Sequence, residues 1–246
     1  MALVCCFAPV YAVLSYWYLF PIVGAAGKFI NMAVITAPLI GIALGPWLSV
    51  AAVVLGGIIG SSVVQTGPFG AVSFVPGAAA ALCSGLLYNG KRRVSALLYS
   101  ALLLVFVFYP VVGPAWLYPH FVWLQLAGLA VLVSPLQSKA AEFVQKRANL
   151  LELSLGVGLV SFTATLFSHI VGSMMFEILY WPIVFPEPDF WRSLWQTLTF
   201  VYPAERLIIT LMATIIGAPL FRALKAYGFE MGGGTHATFR DTNQAD

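Results

Sequence analysis

The chain has 246 residues, of which 61% are hydrophobic and 9% charged, with a mean hydropathy of +0.93 and a net charge of +3. A soluble domain carries about 25% charged residues, so this composition cannot cover a water-facing surface and excludes a soluble catalytic domain. The small positive charge is no signature of nucleic-acid binding, because the basic residues cluster in a few short loops.

Apolar runs of about 20 residues recur from end to end, which predicts an all-α polytopic membrane protein. Lipid admits only helices and closed barrels, and long runs favour helices. Breakers divide the runs into about eight helices. The first spans about Val4–Val23. No basic n-region precedes it, so it reads as a retained helix. A short second helix, about Asn31–Leu44, stops at Gly45-Pro46, and a third covers Trp47 to about Val64. The stretch "QTGPFGAVSF", Gln65 to Phe74, cannot be regular helix throughout. The fourth runs Pro76–Tyr88, the fifth about Val94–Tyr109, the sixth Pro119–Val133, the seventh about Leu150–Tyr180 and the eighth about Pro203–Ala226. Residues 1–226 thus form one integral membrane domain. The Gly-rich polar stretch 227–246 reads as a disordered cytoplasmic tail.

Basic residues set the orientation. With both termini in the cytoplasm, Lys91, Arg92, Arg93, Lys139, Lys146, Arg147, Arg222, Lys225 and Arg240 all fall inside. The outer loop "YWPIVFPEPDFWRSLWQ" then carries Trp181, Trp191 and Trp195 as an interfacial aromatic belt. Pro203 suits the first turn of a helix. It would put Glu205 where the dipole favours an anion, with Arg206 snorkelling to the headgroups. Cys5, Cys6 and Cys83 show neither metal-ligand spacing nor a disulfide framework and read as small buried hydrophobes.

The seventh helix carries Ser161, Thr165, His169, Ser173 and Glu177 at intervals of four, stacked on one slowly drifting face. Such a stripe must face protein or a wet cavity rather than lipid. It either packs helices together or lines a hollow, with an Arg206–Glu177 contact at its outer end. Interrupted membrane segments line cavities. Gln65, Thr66 and Ser73 are therefore candidate hydrogen-bonding groups, and Phe69 or Phe74 a candidate stacking surface. No metal site, phosphate loop or nucleophile elbow is present in the sequence. The catalytic alternative is an intramembrane enzyme using His169 and Glu177, and a third reading is an assembly subunit without ligand.

The stretch "ITAPLIGIALGPWLSVAAVVLGGIIG", Ile35 to Gly60, and the closing "PAERLIITLMATIIGAPLFRALK", Pro203 to Lys225, resemble the substrate-capture subunits (S components) of energy-coupling-factor transporters. Members of that family usually have six spans and fewer residues, so Val94–Val133 would be an inserted hairpin on a six-helix core. The resemblance implies a multi-pass protein of a prokaryotic plasma membrane that captures a vitamin-like small molecule in an outward-facing pocket. It implies docking on a transmembrane coupling subunit driven by cytoplasmic ATPases, with no cofactor and no catalysis by this chain. Ala8 and Ala12 match the family's Ala-x-x-x-Ala docking pair. The expected substrate-binding set is Gln65, Thr66, Phe69, Ser73, His169, Ser173, Glu177, Trp181, Glu205 and Arg206.

Overall fold

In a computed structural model, residues 2–63, 67–146, 149–229 and 231–232 are described. Helix α1 (Ala2–Leu14) ends well before Val23. The chain then forms an antiparallel hairpin of β1 (Tyr18–Pro21) and β2 (Phe29–Asn31). A continuous apolar run does not by itself distinguish helix from strand. Here Pro21 removes a helical donor, and Gly24 and Gly27 turn with φ of 86° and 73°. The ring of Tyr18 stacks on that of Phe29 across the hairpin at 4.6 Å.

Helix α2 (Ala33–Val63) is two helical legs joined at Gly45, whose φ of 73° and ψ of 179° are non-helical. Glycine alone adopts this backbone readily, and Pro46 opens the second leg. Contacts with α3 (Val75–Tyr88) show that the chain reverses there. A Cβ on Gly41 would lie 2.3 Å from the Ala81 carbonyl, and Gly45 lies against Gly85, so the first leg runs parallel to α3. Ser49 Oγ donates to the same Ala81 carbonyl at 3.3 Å, while Gly57 packs on Phe74, so the second leg runs antiparallel. The expected break at Gly45-Pro46 is therefore a fold-back.

Helix α4 (Arg92–Val107) follows, then a four-residue turn of helix α5 (Pro114–Leu117) and a 3-10 turn leading into α6 (Trp123–Val133). Helix α7 (Pro135–Gln145), absent from the sequence reading, bends 65° from α6 at Ser134-Pro135. Its polar face hid it from a search for apolar runs. Together α6 and α7 track α8 (Leu150–Tyr180) in antiparallel sense: Gly128 packs on Leu166, Thr163 donates to Gln137 at 2.9 Å, and Gly156 meets the Ala140 carbonyl. An Asn149–Glu152 capping box starts α8, each supplying the other's backbone N–H with an acceptor.

Helix α9 spans Pro188–Ala226, beginning fifteen residues before Pro203 (203 − 188 = 15). Its 39 residues make a rod about 58 Å long, against a hydrocarbon thickness of about 30 Å. Its length is nearly twice that thickness. Pro203 thus lies inside the helix, where the helix-start reading fails. Among the described residues, four helical segments are long and apolar enough to cross a membrane, or five if α6 and α7 form one bent span.

Trp191 and Trp195, expected at an interface, are almost fully buried. Their indole N–H groups donate to the Phe185 and Val112 carbonyls at 2.9 and 2.8 Å. Trp195 packs edge-on to Phe106 at 5.7 Å and against Phe121 at 4.9 Å. In lipid, such close packing rather than water exclusion holds helices together. Of the cysteines only Cys83 is buried; Cys5 and Cys6 are exposed.

The Ala-x-x-x-Ala pair is used inside the chain. Ala8 and Ala12 are buried against the second leg of α2, where a Cβ on Gly56 would lie 2.4 Å from the Ala8 carbonyl, and one on Gly60 3.4 Å from that of Ala12. The face expected to dock a partner is thus already occupied. Its small residues let α1 and α2 approach closely.

Candidate functional site

A cavity of about 110 Å³ opens where the β1–β2 hairpin, the 67–73 loop and the facing ends of α3, α8 and α9 meet. The same end of the bundle brings together segments from across the sequence. Tyr11 comes from α1, Phe29 and Asn31 from the hairpin, Phe69 and Ser73 from the loop, and Pro76 from the start of α3. The remaining wall is α8 and α9. Two neighbouring rows of α8, Ser168–Gly172–Phe176 and His169–Ser173, point the same way because residues four apart stack. They face Trp195, Tyr202 and Arg206 of the antiparallel α9.

The loop is tied down from two sides. The Phe69 N–H donates to Ser73 Oγ at 3.0 Å, and the Tyr180 hydroxyl donates to the Pro68 carbonyl at 2.7 Å. Unwound backbone beside apolar helices is tolerated where it borders a cavity and its polar groups find partners. Phe74, the other candidate stacking ring, is wedged against Gly57 of α2.

The α8 stripe divides between two environments. His169 and Ser173 border the cavity. Ser161 and Thr165 are buried in the helix seam. Glu177 is fully buried and does not border the cavity, and neither of its carboxylate oxygens has a hydrogen-bond partner among the described residues. Trp181 caps α8, its N–H donating to the Glu177 carbonyl at 3.0 Å, and is half-buried away from the cavity lining.

Glu205 and Arg206 form a buried ion pair at 3.2 Å in mid-helix. Arg206 borders the cavity, stands 5.4 Å from the Tyr202 ring centroid and does not snorkel to an aqueous boundary. Glu205 lies behind it. The expected Arg206–Glu177 contact is replaced by this neighbour pair, because the extension of α9 back to Pro188 carries both charges deep into the fold. Gln65 and Thr66 lie outside the described residues.

Sequence reasoning missed Tyr11, Asn31, Tyr202 and Gln125. Gln125 had a usable signal: it is the one amide in the apolar run "WLQLAGLAVLV" of α6. Its side chain reaches the site from behind, 3.4 Å from His169 Nδ1. Tyr11 and Tyr202 had none, since an aromatic ring in a membrane helix is ordinary.

The result is a half-polar hollow. Tyr11, Phe29, Phe69, Phe176, Trp195 and Tyr202 supply flat apolar walls, and serine hydroxyls, His169 and Arg206 supply polar points. Concave apolar walls with a few placed polar groups suit binding of a small molecule. Among the described residues no group of three His, Cys, Asp or Glu side chains is placed to hold a metal ion. No family model matches this chain, and no curated protein and no solved structure matches it.

Proposed function

We propose that the protein is the membrane-embedded substrate-binding subunit of an energy-coupling-factor importer, capturing a small vitamin-like molecule for uptake across a prokaryotic plasma membrane. The observation that carries this reading is the cavity bordered by His169, Ser173 and Arg206 at one end of an apolar helical bundle. An assembly subunit without ligand would need only a dry seam there. Its maker would have little reason to keep a charged side chain beside a hollow, since ionisable groups inside membranes mark ligand or ion sites.

The remaining features belong to the same proposal. About eight membrane segments, counting the two legs of α2 separately, would place both termini in the cytoplasm. Lys91, Arg92 and Lys146 would lie there, and the cavity would face outward. Transport energy would come from a coupling subunit and its ATPases, docked on a face other than the buried Ala8–Ala12 row.

The test is chemical. The full chain, purified in mild detergent, should retain a small molecule detectable by mass spectrometry. His169→Ala and Ser173→Val should lower its retention. A chain that is folded yet carries nothing, from cells grown in rich medium and in vitamin-supplemented minimal medium, overturns the capture reading.

A further inference from the structure

The cavity wall carries charge of one sign, and the fold cancels it from behind. Arg206 is the one Lys, Arg, Asp or Glu side chain bordering the cavity among the described residues. A guanidinium stays protonated in a protein. Its counter-charge, Glu205, is held at 3.2 Å and does not border the cavity, and both side chains are buried. The pair therefore presents no net charge. The ionisable members of the α8 stripe do not alter this balance. His169 has no acceptor at Nε2 and Glu177 no donor at either oxygen among the described residues, so a charge on either would be buried with nothing to balance it.

The rest of the polar lining is neutral: the hydroxyls of Tyr11, Ser73, Ser168, Ser173 and Tyr202, and the Asn31 amide. Unlike His169 Nε2, none of these groups is sealed without a partner. Ser73 Oγ accepts the Phe69 N–H at 3.0 Å, which leaves its own proton to donate. On α9 the hydroxyls of Thr197, Thr199, Thr210 and Thr214 each donate to the carbonyl four residues earlier. Those of Ser168 and Ser173 have no such bond among the described residues and stay available to a ligand.

These observations rank ligands by charge. An anion would find Arg206 already balanced and would add one uncompensated negative charge to a low-dielectric site. A cation would face the guanidinium with no carboxylate on the wall, and a zwitterion would meet the same difficulty at its ammonium end. A neutral molecule meets neither cost and can bond the hydroxyls. The volume, about 110 Å³, is of the order of the roughly 150 Å³ apolar cavity that admits benzene. One ring fits, against walls that include Phe29, Phe69 and Trp195.

Resting on the capture reading above, we propose that the ligand is an uncharged single-ring aromatic molecule with a polar substituent, and that Glu205 sets this charge selectivity by cancelling Arg206 from behind the cavity. Glu205 touches no ligand. It is a specificity-determining residue that acts through the field of its neighbour.

Benzamide, benzoate and benzamidine test this, since they share one shape and differ in charge. Calorimetric titration of the full chain in detergent should give benzamide binding roughly tenfold or more tighter than either ion. In Glu205→Gln, which keeps an acceptor but removes the charge, benzoate should overtake benzamide while benzamidine stays weakest. A purely structural role for Glu205 would instead weaken all three probes together and leave their order intact. Benzoate or benzamidine binding tightest in the wild type, or an unchanged order in folded Glu205→Gln, overturns the proposal. Should Glu205→Gln fail to fold, the wild-type order decides. If no probe binds but a molecule co-purifies, its charge decides: neutral at pH 7 supports the proposal, whereas an ionised molecule overturns it and leaves capture standing. If no probe binds and nothing co-purifies, both fall.

Discussion

Arg206 donates to the carboxylate of Glu205, the next residue of the same helix, at 3.2 Å, with the two side chains only 6% and 8% exposed. Adjacent residues on a helix point about 100° apart. Their meeting requires both long side chains to bend round one flank of α9 and into the buried part of the fold. The pair is thereby a local charge balance inside the fold, placed where one member borders the cavity and the other does not.

Removing one member should therefore cost more than removing both. Arg206→Ala strands a buried carboxylate and should destabilise the chain by about 3–5 kcal/mol, whereas Glu205→Leu with Arg206→Met should cost far less. Denaturant unfolding in detergent measures both. Equal losses for the single and double variants would show that the Glu205 carboxylate is not stranded by loss of the guanidinium.

The α1–α2 seam has no room for a methyl group. Gly56→Val brings a Cβ to 2.4 Å from the Ala8 carbonyl, a backbone atom that cannot step aside. The expected cost is about 1–3 kcal/mol. Gly172→Ala is the control, because its Cβ would meet Pro76 at an ordinary 3.6 Å. Thermal unfolding should separate the two, and a Gly56 variant as stable as wild type would contradict the close approach.

Tyr180 holds the 67–73 loop through a single hydrogen bond to Pro68. Tyr180→Phe removes it at a net cost of about 0.5–1.5 kcal/mol. The effect should be local: faster amide exchange at Phe69, weaker ligand retention, and a global unfolding midpoint that moves little. Unchanged exchange would mean the loop is held by packing alone.

Glu177 gives the opposite sign. Its two buried oxygens are without partners among the described residues, so the carboxyl carries a desolvation cost with no compensating bond. Glu177→Met keeps the volume and removes the polar atoms. Stability should be unchanged or higher by about 1–3 kcal/mol. A loss of more than 1 kcal/mol, by the unfolding assay used for the Arg206 variants, would reveal a partner for this group.

Hydropathy alone separated this chain from soluble proteins, because the cost of a bare backbone in lipid dictates long apolar helices whatever their arrangement. It also located the Gly45-Pro46 break and the long α8, since Gly and Pro act through their own backbones and an interval of four fixes a shared face. The stripe on α8 was legible as a stripe. Which of its members meet a hollow was not, because periodicity names a face but not the neighbour across it. Only the tertiary structure put His169 and Ser173 at the cavity and Glu177 outside it. The same limit hid the extension of α9 to Pro188. Read locally, Pro203 begins a helix at a surface. In the fold, the aromatic packing of Trp191 and Trp195 continues the helix past it and buries Glu205 and Arg206. Ala8 and Ala12 were visible as a close-packing motif, but what they pack against was decided by Gly56 and Gly60, some fifty residues away in the chain. Local sequence sets conformation and polarity, whereas depth, partner and vacancy arise from contacts between segments far apart in sequence.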